Sequence, residues 1–296
     1  MPGGEPTLLS SLLPWEFSPV VLLVCVLALV FYLRGLTALS ERGAITDWWR
    51  ATAFLLGLAL DYVVLQTHVD YLSQHMFWVH RLQHLILHHV GAALLVLASP
   101  GRALWQGLPA SARGALEGLG GHTTLRKSTG LAFRTLQHPL VAPGLFVGLI
   151  YFWLIPSVHF GAMLDVNRYR LMNWSMAIDG ILFWWLMLAP RDSQGAAAIG
   201  YPWRVLIVCL VALPQILLGA YITLHRSVLF DVYAVCGRAW STDPLLDQEL
   251  GGLLTWIPAA MMSGVAMLLI LRLLLAEETA KGGSGPHHVS NPGTPT

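Results

Sequence analysis

Seven long apolar segments dominate this chain of 296 residues and restrict what it can fold into. An α-helix needs ~20 apolar residues to cross the ~30 Å hydrocarbon core of a bilayer, and each segment approaches that length. With 55% hydrophobic and 11% charged residues, the chain has little polar surface for a soluble protein. We therefore predict an all-α, polytopic membrane protein with seven transmembrane helices. The segments run at about 19–38, 48–66, 74–98, 139–159, 168–189, 203–224 and 252–275.

The basic residues are few, and their uneven distribution predicts the orientation of the helices. A net charge of +1 leaves no polybasic surface for nucleic acid, so the lipid bilayer is the expected partner. Basic residues near helix ends are retained in the cytoplasm. Most of them fall on one side of the seven-helix arrangement, which predicts the N-terminus outside and the C-terminus inside. This basic side holds Arg34, Arg42, Arg50, Arg102, Arg113, Arg126, Lys127, Arg134, Arg191, Arg204, Arg272 and Lys281, and the opposite side holds Arg168, Arg170, Arg226 and Arg238.

The chain is predicted to divide into three parts. Residues 1–18 form an outer N-terminal segment, 19–275 the transmembrane domain and 276–296 a disordered cytoplasmic tail. The N-terminus lacks the basic region of a signal peptide, so the first span is expected to stay uncleaved. The tail, KGGSGPHHVSNPGTPT from Lys281, has a composition that does not form a packed core.

The third apolar segment carries an unusual histidine pattern, SQHMFWVHRLQHLILHH. Met76, His80, His84 and His88 recur every four residues and therefore share one face of a helix. Ionisable side chains inside a membrane are rare and default to a functional role. At ~1.5 Å rise per residue, His80 and His84 lie ~6 Å apart along the axis, close enough to ligate one ion, whereas His88 lies ~12 Å from His80.

Outer loops at 67–74, 157–168 and 225–251 are expected to add ligands to this stripe. The predicted topology brings them to one face, where histidines and carboxylates together would attract cations. Imidazole with thioether favours copper, especially Cu(I), over ions such as Mg²⁺ or Ca²⁺ that prefer oxygen. The predicted metal ligands are His75, Met76, His80, His84, His88, His159 and His225.

A structural interpretation competes at each of these positions. A membrane histidine can simply hydrogen-bond a neighbouring helix, and methionines such as Met172 and Met176 commonly fill cores. Five histidines within fifteen residues make a purely structural role the weaker interpretation for the stripe. The deeper His88 and His89 could form a second site, support the ligands of the first or lie on a transfer path.

Three further ionisable residues lie inside the predicted spans, namely Asp61, Arg81 and Asp179. Each is costly in hydrocarbon unless it is paired or faces water. Arg81 is expected to pair with one of the two aspartates, either as a structural ion pair or as part of metal or proton transfer.

Several stretches of the sequence together resemble the CtaG cytochrome c oxidase assembly factors. They include the H-M-x3-H-x3-H pattern with its closing Pro100, LLGAYITLHRSVLFDVY at 217–233 and DPLLDQELGGLLTWIPAAMM at 243–262. The resemblance covers about residues 20–275. It implies a bacterial inner-membrane protein, with 1–18 in the periplasm, that helps to place copper in a haem-copper oxidase and is not an enzyme. The implied partners are oxidase subunits and a periplasmic copper donor, and the implied ion is Cu(I).

The DQELGG string before the seventh helix is expected to form a structured rim where the partner could dock. Its two glycines would permit close approach of chains. The rim consists of Asp247, Gln248, Glu249, Gly251 and Gly252.

Three other functions compete with copper delivery. A copper transporter would conduct the ion inward along the same stripe, and the sequence does not exclude it. A di-iron enzyme similar to lipid desaturases needs several histidine boxes, whereas the clustered histidines here lie on one helix. A b-type haem protein needs axial histidines that face each other in mid-membrane, and the other spans carry histidines near their ends.

Overall fold

The computed structural model describes residues 17–45, 47–121, 123–189 and 199–282 as a helical protein, with no β-strand in these ranges. In chain order the helices are α1 Pro19–Ser40, α2 Trp48–Gln66, α3 His68–His75, α4 Phe77–Leu85, a π-helical turn Ile86–Val90, α5 Gly91–Leu97, α6 Gly101–Gly107, α7 Ala110–Gly121, α8 Thr123–Leu136, α9 Val141–Trp153, α10 Pro156–Met163, α11 Val166–Leu188, α12 Tyr201–Leu224, α13 Val232–Cys236 and α14 Pro244–Gly282.

Five helices, α1, α2, α11, α12 and α14, are long and apolar enough to cross a membrane. Two bent pairs could each add a span. The first joins the segment from α4 to α5 with α6 at a 73° bend, and the second joins α8 with α9 at a 66° bend. The predicted all-α fold is confirmed in the described residues, with five to seven candidate membrane-spanning helices, while the count of seven and the orientation stay predictions.

The third apolar segment is not the continuous helix that was predicted. α3 ends before Met76, whose backbone is extended (φ −139°, ψ 125°), and α4 begins at the next residue. The π-helical turn Ile86–Val90 then connects α4 to α5. Such turns are rare and occur frequently at functional sites. This one carries His88 and His89.

A distant part of the chain stabilises the break at Met76. The Asp247 carboxylate, near the start of α14, accepts hydrogen bonds from the backbone N–H groups of Phe77 (3.1 Å) and Trp78 (2.9 Å). The unpaired N–H groups at a helix start need acceptors, and the helix dipole favours a negative charge there. Arg238 donates to the same carboxylate. Because this contact is non-local, the local sequence pattern predicted an uninterrupted helix.

α14 extends beyond the predicted seventh span at both ends. It begins at Pro244 and continues to Gly282, so residues 276–282 of the predicted disordered tail are helical. The remaining tail, 283–296, and most of the predicted N-terminal segment, 1–16, lie outside the described residues.

The broken third segment lies inside the bundle. α4 packs on α14, the π-turn on α11, and α5 on both α2 and α11. α12 and α14 approach each other closely, since a Cβ on Gly252 would lie 2.7 Å from the backbone nitrogen of Thr223. Large apolar side chains on the outer faces of these helices, such as Leu217 and Leu268, are exposed and suit contact with lipid.

The bundle has two chemically different ends. We call the end where α1 finishes and α2 begins, which carries Arg42 and Arg50, the basic end. The opposite end, where α2 finishes and α3 begins, carries His75 and Arg168 and is called the histidine end.

Candidate metal centre

Three imidazole rings pack against one another inside the histidine half of the bundle. His80 and His84 occupy successive turns of α4, and their ring centroids are 4.3 Å apart. His159, from α10, packs edge-on against His80 at 5.1 Å. All three side chains are fully buried. These three rings are called the histidine stack, and two different helices supply them.

The His84 ring is held at both nitrogens. Its Nε2 lies 3.2 Å from Asn173 Oδ1, and its Nδ1 lies 3.4 Å from a guanidinium nitrogen of Arg81. Because the guanidinium can only donate, His84 Nδ1 accepts and Nε2 carries the proton. The lone pair of His84 therefore points toward Arg81.

His80 differs from the other rings of the stack. His159 is satisfied, because its Nδ1 lies 3.1 Å from the Trp153 carbonyl oxygen and its Nε2 lies 3.0 Å from the Tyr233 hydroxyl. Both nitrogens of His80 are buried and have no hydrogen-bond partner among the residues that the structure describes. Leaving a buried polar atom unpaired costs ~1–3 kcal/mol. His80 is therefore the ring most ready to accept an ion.

Buried methionines provide thioethers in the same region. Met172 and Met176 on α11, and Met76 in the break before α4, are fully buried. Met172 and Met176 belong to one core cluster with Phe77 of α4. Across the described ranges, no three His, Cys, Asp or Glu side chains converge in a metal-ligating arrangement. An ion in the stack would therefore rely on one or two imidazoles with thioethers, a set that suits Cu(I).

A polar network connects the stack with the histidine end. The Tyr169 hydroxyl donates to Asp70 at 2.7 Å, and its ring centroid lies 6.2 Å from that of His80. A cavity of about 80 Å³, lined in part by Asp70, Tyr169 and Asn173, lies at this end. Since Asn173 also contacts His84, one residue separates this cavity from the stack.

His88 and His89 form a deeper pair on the π-turn, and we call them the deep pair. Their ring centroids are 5.0 Å apart. His88 Nε2 lies 3.1 Å from Asp179 Oδ2, and His89 Nε2 lies 2.9 Å from Gln215 Oε1. A polar side chain of a neighbouring helix, α11 or α12, therefore orients each ring.

Two predicted ligands at the histidine end stay outside the stack. The His75 ring contacts the backbone oxygen of Tyr71 at 2.8 Å, and the His225 ring contacts the backbone oxygen of Ser227 at 3.0 Å. Both side chains are half-buried and bound within their own helix or turn. Local contacts therefore hold both rings, and the convergence of these two histidines with His159 as metal ligands stays a prediction.

The predicted ion pair between Arg81 and an intramembrane aspartate is wrong. α4 turns Arg81 toward α14, where its Nε donates to Thr255 Oγ1 at 2.9 Å. Asp179 faces the π-turn and contacts His88. One oxygen of Asp61 is buried without a hydrogen-bond partner in the described part of the chain. Each residue faces a different neighbour, which helical periodicity alone does not reveal.

The DQELGG string joins α14 to the surrounding helices. Asp247 caps α4. Gln248 accepts a hydrogen bond from the backbone N–H of Leu229 at 2.6 Å and donates one to the Ser227 carbonyl at 3.1 Å. A side chain on Gly251 would overlap an aromatic ring of α4. Glu249 is exposed and is the carboxylate of the string best placed to meet a partner. Partner docking at this rim stays a prediction.

Sequence reasoning missed the polar residues that orient the rings. Asn173, Tyr169 and Gln215 lie within apolar segments, where a buried polar side chain needs a partner, and that signal could have identified them. Gln83 shares α4 with the stack and donates to Asp70 at 2.9 Å. Tyr233 comes from the short α13, whose position no periodic pattern indicates.

Comparison with known protein families agrees with the resemblance seen in the sequence. The family model for the cytochrome c oxidase caa3 assembly factor (Caa3_CtaG) matches residues 30–277. This range includes the histidine stack, the deep pair and the DQELGG string. Searches of curated proteins and of solved structures returned no significant match.

Proposed function

This chain belongs to the cytochrome c oxidase caa3 assembly factor family, and we propose that it binds Cu(I) in the histidine stack and delivers it to the oxidase. The observation that carries the copper step is His80, whose two buried nitrogens have no hydrogen-bond partner among the described residues. A buried imidazole in this state is unfavourable, and a bound ion would complete its surroundings. Neutral imidazoles and thioethers match the ligand preference of Cu(I).

His80 and His84 are the proposed ligand pair. His84 Nδ1 already carries a lone pair, and its contact with Arg81 is long at 3.4 Å, so exchanging that contact for an ion costs little. His159 would have to give up two shorter contacts. A thioether of Met172 would complete a three-coordinate site. A site with few ligands, in which His84 is the more easily exchanged imidazole, suits transfer of the ion by ligand exchange.

The histidine end is the proposed delivery face. The distribution of basic residues predicts that this end lies outside, where a periplasmic donor and the oxidase subunits would meet it. The cavity lined by Asp70 and Tyr169 extends from this end to Asn173, which contacts His84 of the stack. Beyond the deep pair, an apolar cluster that contains Phe146, Phe183 and Trp184 fills the interior. This filling favours delivery from one face over transport across the membrane.

Metal titration of the purified full-length protein in detergent tests the site. Cu(I) is added without oxygen against a competing chelator to wild type, His80→Ala and His138→Ala. His138 is an exposed histidine at the basic end and serves as the matched control. We expect at least one Cu(I) per chain in wild type and control, and an affinity at least roughly 10-fold lower in His80→Ala. Equal affinity in His80→Ala would overturn the assignment of the stack.

Oxidase assembly in cells tests the delivery step. A deletion strain should contain oxidase depleted of copper, and wild type but not His80→Ala should restore the metal. Less oxidase with a normal copper content per enzyme would instead indicate a scaffold. Uptake of copper by vesicles that contain the purified protein would favour the transporter alternative.

A further inference from the structure

The deep pair has open nitrogens of its own. His88 and His89 are 1% and 5% exposed, and their Nε2 atoms contact Asp179 and Gln215. Their Nδ1 atoms are buried and have no hydrogen-bond partner within the described residues. Neither ring belongs to the histidine stack, and the proposed function does not use these atoms.

The hydrogen bonds define where the protons lie. With Asp179 ionised, its carboxylate can only accept, so His88 Nε2 carries the proton that contacts Asp179. The Gln215 amide nitrogen donates to the Val211 carbonyl at 3.1 Å, which leaves its oxygen to accept from His89 Nε2. Both neutral rings therefore hold their lone pair at Nδ1. A second proton there would create a buried N–H without an acceptor, which is unfavourable.

This arrangement is the one that metal-binding histidines adopt. A ligating imidazole usually donates its other N–H to a carboxylate or an amide oxygen, which fixes the ring and raises its basicity. His88 and His89 also line, with Met176, a cavity of about 10 Å³, roughly the minimum that one water molecule needs. We propose that Nδ1 of His88, Nδ1 of His89 and the Met176 thioether form a second site for a soft monovalent cation. This inference rests on the proposed copper function and extends it.

The charged residues around the cavity favour a monovalent ion. Arg81 lines the same cavity, and an ionised Asp179 behind His88 would offset its positive charge before an ion binds. Adding one positive charge to a buried site costs far less than adding two. The Thr255 hydroxyl, which also lines the cavity, accepts from Arg81 and donates to the Gly251 carbonyl. The Thr255 hydroxyl therefore already has its own hydrogen-bond partners and does not hydrogen-bond the His88 or His89 ring.

The position of the cavity places the second site directly after the first. His84 and Met176 both line it, and His84 also belongs to the stack. An ion could therefore pass from the stack to the deep pair by exchanging ligands on adjacent turns. Because the apolar cluster around Phe146 and Trp184 follows, the deep pair would store a second ion and return it through the stack.

Counting bound ions in variants of the full-length protein tests this site. Cu(I), or Ag(I) as an oxygen-stable probe, is titrated into wild type, His80→Ala, His89→Ala, Met176→Leu and the His138→Ala control, and thermal unfolding checks that each is folded. We expect two ions in wild type and control and one in His89→Ala. Met176→Leu conserves volume and should weaken the second ion roughly 10-fold. Zn²⁺ should not be retained.

The outcomes separate this proposal from the copper function itself. If wild type binds no ion, the copper function fails and this site with it. If wild type binds one ion that His80→Ala removes and His89→Ala keeps, the second site alone is overturned and the cavity holds water only. If His89→Ala removes an ion that His80→Ala retains, the deep pair is supported. Retention of Zn²⁺ that depends on His89 would overturn the monovalent assignment.

Discussion

At the scale of single residues, His80 combines complete burial with nitrogens that contact no partner in the described residues. Such a group lowers stability when no ion is bound. We therefore expect His80→Leu, which introduces an apolar side chain of similar size, to raise the stability of the metal-free protein by up to ~1–3 kcal/mol. The thermal midpoint in detergent should increase, while Cu(I) binding at the histidine stack is lost or strongly weakened.

His159→Leu is the matched control for this prediction. His159 is equally buried, but its ring contacts the Trp153 carbonyl and the Tyr233 hydroxyl. Leucine would leave both groups buried without a partner, so the midpoint should fall. A lower midpoint in His80→Leu as well would mean that His80 has a structural role, and the copper assignment would lose its main support.

Asp247 and Glu249 are neighbouring carboxylates with different expected roles. Asp247 is buried, caps α4 and accepts from Arg238, whereas Glu249 is exposed. Asp247→Asn removes the charge from these contacts and should destabilise the protein by ~1.5–3 kcal/mol, the range for hydrogen bonds to charged groups. Glu249→Gln should leave the thermal midpoint unchanged. Equal midpoints for both variants would contradict the capping role.

At the scale of helices, the sequence predicted what depends on local pattern. Apolar length located the spans, and four-residue spacing predicted the contact between His80 and His84, because both properties lie within one segment. The break at Met76 could not be predicted, since the carboxylate that caps α4 lies 170 positions further along the chain. The third ring of the stack, His159, depends on how α10 packs, which no local pattern encodes.

The close packing of α12 on α14 leads to a prediction about glycine. A Cβ on Gly252 would lie 2.7 Å from the Thr223 backbone nitrogen, which cannot move without shifting α12, whereas Gly264 has open space. Gly252→Ala should therefore lower the thermal midpoint and weaken Cu(I) binding, because α14 also supports α4. Gly264→Ala should be neutral or stabilising by up to ~1 kcal/mol, since alanine favours helix. Similar thermal midpoints for Gly252→Ala and Gly264→Ala would show that the packing of α12 on α14 does not depend on this close contact.

At the scale of the whole molecule, polar and apolar interiors are segregated along the bundle axis. The polar network, the histidine stack and the deep pair follow one another from the histidine end, and the apolar cluster around Phe183 and Trp184 lies beyond them. A buried polar site that lies toward one end suits an exchange partner on that side. The direction of the proposed delivery therefore depends on which end faces the periplasm.

The predicted orientation can be measured with two single-cysteine variants. After replacement of the native cysteines by alanine, Ser241→Cys reports on the histidine end and Ser128→Cys on the basic end, and both positions are exposed. Because basic residues are retained in the cytoplasm, a membrane-impermeant maleimide should label Ser241→Cys in intact cells and Ser128→Cys only after permeabilisation. The reverse pattern would open the cavity beside Asp70 and Tyr169 to the cytoplasm. The stack would then receive copper from a cytoplasmic donor, and delivery at the outer face would be excluded.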